Sequence, residues 1–235
     1  MDYNNRHVVV TGGTGALGAA VVARLVDAGA TCHVPWVLPG EAGTFTLRDH
    51  AQVRLTGPVD LTDQGQVDAF YQGLPDLWAS IHCAGGFTMS PMGESGAAEI
   101  ESMLRMNALT AYLCSRAALL RMRARGGRGG GRMVNIAARP ALEPRQGAGM
   151  VAYTMSKAAI AALTESLGQE LADEDIWVNA VAPATLDTPG NRAAMPGADT
   201  RKWAPVEDVA EVIAFLASPS NRTVRGAVVP VYGRG

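Results

Sequence analysis

The chain has 235 residues, of which 48% are hydrophobic and 18% charged, with a formal net charge of −2. That length and balance suit one α/β domain that buries a core without metals or disulfides, and they exclude a disordered chain. A charge this near neutrality speaks against a broadly basic nucleic-acid face or a polybasic membrane patch, and no apolar run reaches the length of a membrane helix.

The polar start at 1–7 lacks the basic and apolar regions of a signal peptide, so a cytoplasmic protein is expected. Val8, Val9 and Val10 then form a β-branched run ending in a glycine-rich turn. Positions 16–28 read as a helix, with Leu17, Val21, Leu25 and Ala28 at helical spacing and Gly29 as its stop. Strand candidates follow at 31–37 and 53–55, a polar helix at 63–72 and a buried strand at 77–83. A long helix at 97–122 leads to a strand at 132–136, and a second long helix at 150–171 leads to a strand at 176–181. A helix at 206–216 and a strand at 227–231 complete the series.

Alternation of this kind implies βαβ units. The expected fold is a doubly wound α/β fold of the Rossmann type, with about seven parallel strands and helices on both faces. Neither a repeat nor a linker divides the chain, so 1–235 is expected to be a single domain. The segment 121–132, RMRARGGRGGGR, has an RGG-like bias but is read as the exposed basic end of a helix followed by a flexible turn; no nucleic-acid partner is expected. Cys32, Cys83 and Cys114 are odd in number, widely spaced and set in apolar runs, as buried thiols in a reducing compartment would be. No Cys or His pair has metal-ligand spacing, so no metal is expected.

Chemistry enters at Thr11-Gly12-Gly13-Thr14-Gly15-Ala16-Leu17-Gly18, between the first strand and the first helix. At that junction glycines permit a tight turn, and the helix N-terminus offers unpaired N–H groups to a pyrophosphate. The second strand ends His33-Val34-Pro35-Trp36, without the acid that usually holds a ribose hydroxyl and without an Arg for a 2′-phosphate. The residues therefore imply NAD or NADP and leave the choice open.

With these motifs the chain resembles the short-chain dehydrogenase/reductase family over nearly its whole length. The glycine motif matches through Gly12, Gly15 and Gly18, with Ala16 where glycine is commoner. Asp60-Leu61 resembles the pair that contacts adenine, and Cys83-Ala84-Gly85-Gly86 the segment after the fourth strand. Asn107 stands where the family has an asparagine, Tyr153 and Lys157 form a Tyr-x-x-x-Lys pair, and Pro183 to Thr188 resembles the loop meeting the nicotinamide. The resemblance implies Tyr153 as proton donor, Lys157 lowering its pKa and holding the ribose, and Asn107 holding a water that links Lys157 to solvent. It also implies cofactor contacts from Gly12, Thr14, Gly15, Leu17, Gly18, Trp36, Asp60, Leu61, Ala84, Gly85, Pro183, Thr185 and Thr188. It implies a dimer or tetramer built on the helices at 97–122 and 150–171.

A closer likeness, to quinoid dihydropteridine reductases, lies downstream. Thr185-Leu186-Asp187-Thr188-Pro189, Asn191-Arg192, Met195-Pro196, Ala198-Asp199, Trp203 and Pro205 carry it. Met195 and Trp203 are expected in a flap over the substrate, Asp187 in a turn before Pro189, and His82 as a satisfied core histidine.

One part of the family pattern is missing: Ala137-Ala138 stands where a serine would hydrogen-bond the substrate carbonyl. Three readings follow. The substrate is a quinonoid ring that needs no such donor; or Arg139 or a residue of 143–146 substitutes; or the protein binds nucleotide as a regulator without turnover. The leading expectation is hydride transfer between nicotinamide and a small carbonyl or quinonoid compound.

Overall fold

The computed structural model describes residues 1–124 and 130–235. Its centre is a seven-stranded, wholly parallel sheet. The strands are β1 (His7–Thr11), β2 (Thr31–Pro35), β3 (Val53–Thr56), β4 (Leu77–His82), β5 (Gly131–Ile136) and β6 (Ile176–Pro183), with a last strand at Val228–Val231. The order is β3-β2-β1-β4-β5-β6 and then the last strand, so the winding reverses between β1 and β4. In such folds ligands bind at that reversal, beyond the carboxyl ends of the strands.

The period of two along a strand decides which helix each residue meets. Val8 and Val10 of β1 join a core with Val21 and Leu25 of α1 (Ala16–Asp27) and Ile213 of the helix at Val206–Leu216. Val9, between them, joins the opposite core with Val67 and Tyr71 of a helix at Gln64–Gln72 and Leu113 of a helix at Thr110–Arg123. Ile160, on the helix at Val151–Glu170, packs with Ala111 and Ala180 in a third cluster on that same side. All these core residues are buried, and each aliphatic side chain so placed contributes roughly 1.5–3 kcal/mol relative to exposure. In chain order the helices are α1, α2 (Pro39–Thr44), α3 (Gln64–Gln72), α4 (Ala97–Met103), α5 (Thr110–Arg123), α6 (Arg139–Leu142), α7 (Val151–Glu170), α8 (Pro189–Ala194) and α9 (Val206–Leu216). A two-stranded parallel ribbon, β7 (Leu186–Asp187) with β8 (Ala204–Pro205), stands outside the sheet, and β9 is Val228–Val231.

The main departure from the expected elements lies at 97–122. The predicted single α-helix is interrupted by a π-helical turn, Leu104–Leu109, between α4 and α5. An inserted residue of this kind re-aims a side chain, and here the re-aimed residue is Asn107. The strand expected at 31–37 stops at Pro35, and the short α2 that follows was not expected from its Pro- and Gly-rich sequence. The centre of the RGG-like turn, 125–129, lies outside the described residues. Around it the basic side chains are engaged rather than free: Arg121 donates to the Leu74 carbonyl, Arg123 pairs with Glu174, and Arg132 is buried. Among the described residues no helix is long and apolar enough to cross a membrane, and no cluster of potential metal ligands occurs.

Candidate active site

The glycine loop links the carboxyl end of β1 to α1. Gly12 has φ +62°, and a Cβ there would lie 2.6 Å from the Ala84 nitrogen beyond β4. A Cβ on Gly18 would lie 2.1 Å from the Gly12 carbonyl oxygen, so only glycine lets helix and loop close together. Ala16, which departs from the family pattern, is exposed, and its methyl costs nothing. No side chain caps the N-terminus of α1 and no acid lies in its first turn, which leaves N–H groups and dipole for a phosphate. The glycine cradle and the uncapped helix start therefore fit a dinucleotide. Thr14 borders the loop, and its hydroxyl donates to the Glu41 carboxylate of α2 at 3.3 Å.

Beyond the end of β2, Trp36 packs against Gly57, where a Cβ would lie 2.6 Å from the indole. The Asp60 carboxylate accepts hydrogen bonds from the Thr62 nitrogen and hydroxyl, both at 2.8 Å, and Leu61 is half-buried beside it. Leu17 packs on the core below the loop.

Across the winding reversal lie the residues of the Tyr-x-x-x-Lys pair. Lys157 is buried, and its ammonium donates to the Ile136 carbonyl at 2.8 Å, at the end of β5. Burial lowers its pKa to about 8. The nitrogen is 5.9 Å from the centre of the Tyr153 ring. The Tyr153 phenol departs from expectation: burial raises its pKa to about 12, and Lys157 does not offset that.

Asn107 is buried and hydrogen-bonded on both sides of its amide. Its side-chain oxygen accepts from the Gly86 N–H at 2.9 Å, and its nitrogen donates to the Gly86 carbonyl at 3.1 Å and the Ser156 hydroxyl at 2.9 Å. Both amide donors are used within the protein, so the side chain clamps the loop after β4. Ser156 in turn donates to the Tyr153 carbonyl at 2.7 Å. The chain Gly86–Asn107–Ser156–Tyr153 ties the loop after β4 to α7. Gly85 is confined by the same clamp, since a Cβ there would meet the Asn107 oxygen at 2.5 Å. The sequence reading missed Ser156, although it immediately precedes Lys157. It also missed Phe87, which is 57% exposed and meets the Tyr153 ring edge-on at 4.9 Å.

Ala137 and Ala138 are buried where β5 ends, and neither offers a donor. Arg139 does not replace the missing hydroxyl: it pairs with Glu143 at 3.0 Å and lies over the Tyr232 ring at 4.7 Å. Pro183 ends β6, and Thr185 and Thr188 flank the ribbon strand β7. The Thr188 hydroxyl caps α8 by accepting from the Asn191 N–H. Asp187, just before that cap, pairs through its carboxylate with Arg192 at 2.6 Å and is held below its usual pKa by it. Met195 follows α8, and Trp203 immediately precedes β8.

His82 is the satisfied core histidine expected. It is buried, its pKa is lowered to about 4 by burial, and it lies between Ser80 at 2.9 Å and Asn135 at 2.7 Å. Asn135 donates to Thr164 through its nitrogen, so its oxygen accepts from the His82 Nδ1–H. Cys32 and Cys114 are buried and Cys83 half-buried; all three are free, with thiol pKa values raised to about 12 by burial.

Glycine cradle, winding reversal and a Tyr–Lys pair at one end of a parallel sheet define a dinucleotide-binding dehydrogenase. The short chain dehydrogenase family model matches residues 6–198. A cis-4-hydroxycyclohexanecarboxylate dehydrogenase of Sinomonas cyclohexanicum is 32% identical, over 98% of this chain and 96% of its own. Among solved structures, a short-chain type dehydrogenase/reductase from Mycobacterium ulcerans superposes with a TM-score of 0.88 at 26% identity, over 100% of this chain and 90% of its own. A blue fluorescent protein from a metagenomic library, solved with NADPH, has a TM-score of 0.87 at 28% identity, over 99% and 98%. The chain belongs to the short-chain dehydrogenase/reductase family and is an NAD(P)-dependent oxidoreductase.

Proposed function

We propose that the protein, acting as one domain over 1–235, interconverts a small ring-bearing secondary alcohol and its ketone. The observation that carries this reading is the placing of Tyr153 and Lys157 on α7 at the carboxyl end of the sheet, across the reversal from the glycine cradle. Bound NAD(P) supplies the hydride chemistry. Tyr153 gives its phenolic proton to the carbonyl oxygen, and no described group competes for that hydroxyl. Lys157 holds the ribose; the Asn107–Ser156 clamp fixes Tyr153 in place. Gly12, Thr14, Gly15, Leu17, Gly18, Trp36, Asp60, Leu61, Ala84, Gly85, Pro183, Thr185 and Thr188 hold the cofactor.

Two details refine the reading. Glu41, bonded to Thr14 beside the phosphate loop, would accept from a free ribose 2′-hydroxyl and repel a 2′-phosphate, which favours NAD. Phe87 beside Tyr153, and exposed Met89, Met92 and Met155 on the same segments, favour an apolar ring over a polar open chain. A second reading, a quinonoid dihydropterin-like ring, is favoured by Ala138: a conjugated system spreads the developing charge and needs no single hydroxyl donor. Exposed Tyr112 and Leu120 on α5 and Val151 on α7 support a dimer or tetramer through those helices. The test is NADH oxidation assayed against cyclohexanones and, separately, a quinonoid dihydropterin. Turnover of the first supports the main reading, turnover of the second alone supports the other, and turnover of neither contradicts both.

A further inference from the structure

The opposite, amino end of the sheet carries a cavity of about 450 Å³ lined by Arg6, Trp78, Arg132, Asp175, Trp177 and Arg222. Arg6 immediately precedes β1, and Trp78, Arg132 and Trp177 are the second residues of β4, β5 and β6. Arg132 stands opposite Trp177 in the ladder. Its guanidinium lies 4.3 Å from the Trp177 ring and 5.3 Å from Trp78, and that of Arg6 lies 3.9 Å over Trp78. Stacking fixes a guanidinium plane and leaves its N–H edge for a planar or tetrahedral oxyanion.

Arg132 is the anomaly. It is 5% exposed, and its donors meet carbonyls: Gly131 at 2.8 Å, Asp175 at 3.2 Å and Asn221 at 3.4 Å. The nearest carboxylate oxygen, of Asp175, is 3.7 Å away on a side chain that is 64% exposed. Its Nε is buried without any partner. That long ion pair with an exposed carboxylate offsets only part of the cost of burying the cation, and burial lowers the Arg132 pKa. Arg6 and Arg222 make no ion pair among the described residues. Three guanidiniums against one carboxylate leave the lining two charges positive.

The wall is also built with some strain. Asp175 is left-handed, with φ +51°, and its carbonyl accepts from both the Gly131 N–H and Arg132. Gly130 must be glycine beside it, since a Cβ would lie 2.5 Å from the Asp175 carboxylate.

We propose that this cavity is a second ligand site, taking a small phosphate monoester whose dianionic head is held by Arg6 and Arg222, with the buried charge of Arg132 behind them. The dianion matches the two unbalanced charges. The volume exceeds that of a bare phosphate, and the two indoles give the ester's organic part an apolar wall.

The test is tryptophan fluorescence of the intact protein at low ionic strength, titrated with phenyl phosphate, inorganic phosphate and benzoate. The expected result is saturable binding of phenyl phosphate, tighter than inorganic phosphate and than benzoate. Arg222→Ala or Arg6→Ala then weakens it at least about tenfold, with unchanged circular dichroism. No saturation by either phosphate, equal binding of benzoate, or wild-type binding by both variants would overturn the proposal. Surface-side Arg6 and Arg222 are chosen because removing buried Arg132 endangers the fold.

Discussion

The two ends of the parallel sheet are made of different materials. At the carboxyl end the backbone is exposed by glycines: Gly12, Gly18 and Gly85 each stand where a Cβ would strike a neighbour, and a buried cation, Lys157, is tied to a carbonyl. At the amino end large side chains replace backbone, and guanidiniums stack on indoles with too few carboxylates. The same seven strands support both. The first arrangement suits an extended ligand read by N–H groups and a helix dipole, the second a compact anion read by side chains.

The difference is open to direct attack at the carboxyl end. Tyr153→Phe removes the proton donor and nothing else of the cradle. Its kcat should fall by about 10²–10⁴, with the NADH dissociation constant unchanged. The substitution should leave phosphate binding at the amino end untouched, which stopped-flow turnover and fluorescence titration would check together. An equal kcat would remove Tyr153 from the mechanism.

Ala138→Ser restores the absent hydroxyl. On the main reading kcat/KM for an unconjugated ketone should rise about tenfold or more, because one positioned donor to a developing oxyanion has that worth. On the quinonoid reading steady-state kinetics would show no gain. Glu41→Gln removes the acid beside Thr14 and should narrow the preference for NADH over NADPH by severalfold, measured as the ratio of the two dissociation constants. An unchanged ratio would take Glu41 out of cofactor choice.

The smallest effect concerns pH. The Lys157 pKa is lowered by burial to about 8 in the folded chain, below its ordinary value. The folded state thus holds fewer protons than the unfolded state above that pH, and stability rises as pH climbs through about 8. Below it the buried ammonium is a standing cost. Lys157→Met lacks this dependence, so its stability relative to the wild type should decline as pH is raised above 8. Urea unfolding at a series of pH values would show the slope, and parallel curves would contradict it.

What the sequence disclosed follows from how local each signal is. Val8-Val9-Val10 alternate between two cores, as a half-period pattern requires, and the glycine loop falls where strand meets helix. The Tyr-x-x-x-Lys spacing likewise needs only one helical turn. The π-turn at Asn107 was not legible, because 97–122 reads smoothly as helix and the insertion answers a tertiary demand, the clamp on Gly86. The raised phenol of Tyr153 was hidden for the same reason, since burial is a property of the assembled site. Arg132 was misread because a basic residue closing an RGG-like run looks exposed, whereas the ladder sets it beside Trp177.

The central claim is that the carboxyl end holds a nicotinamide dinucleotide. It is tested most directly by titrating the folded protein with NADH and, separately, NADPH, following nicotinamide fluorescence. Saturable micromolar binding is expected, tighter for NADH. A folded protein that binds neither would contradict it.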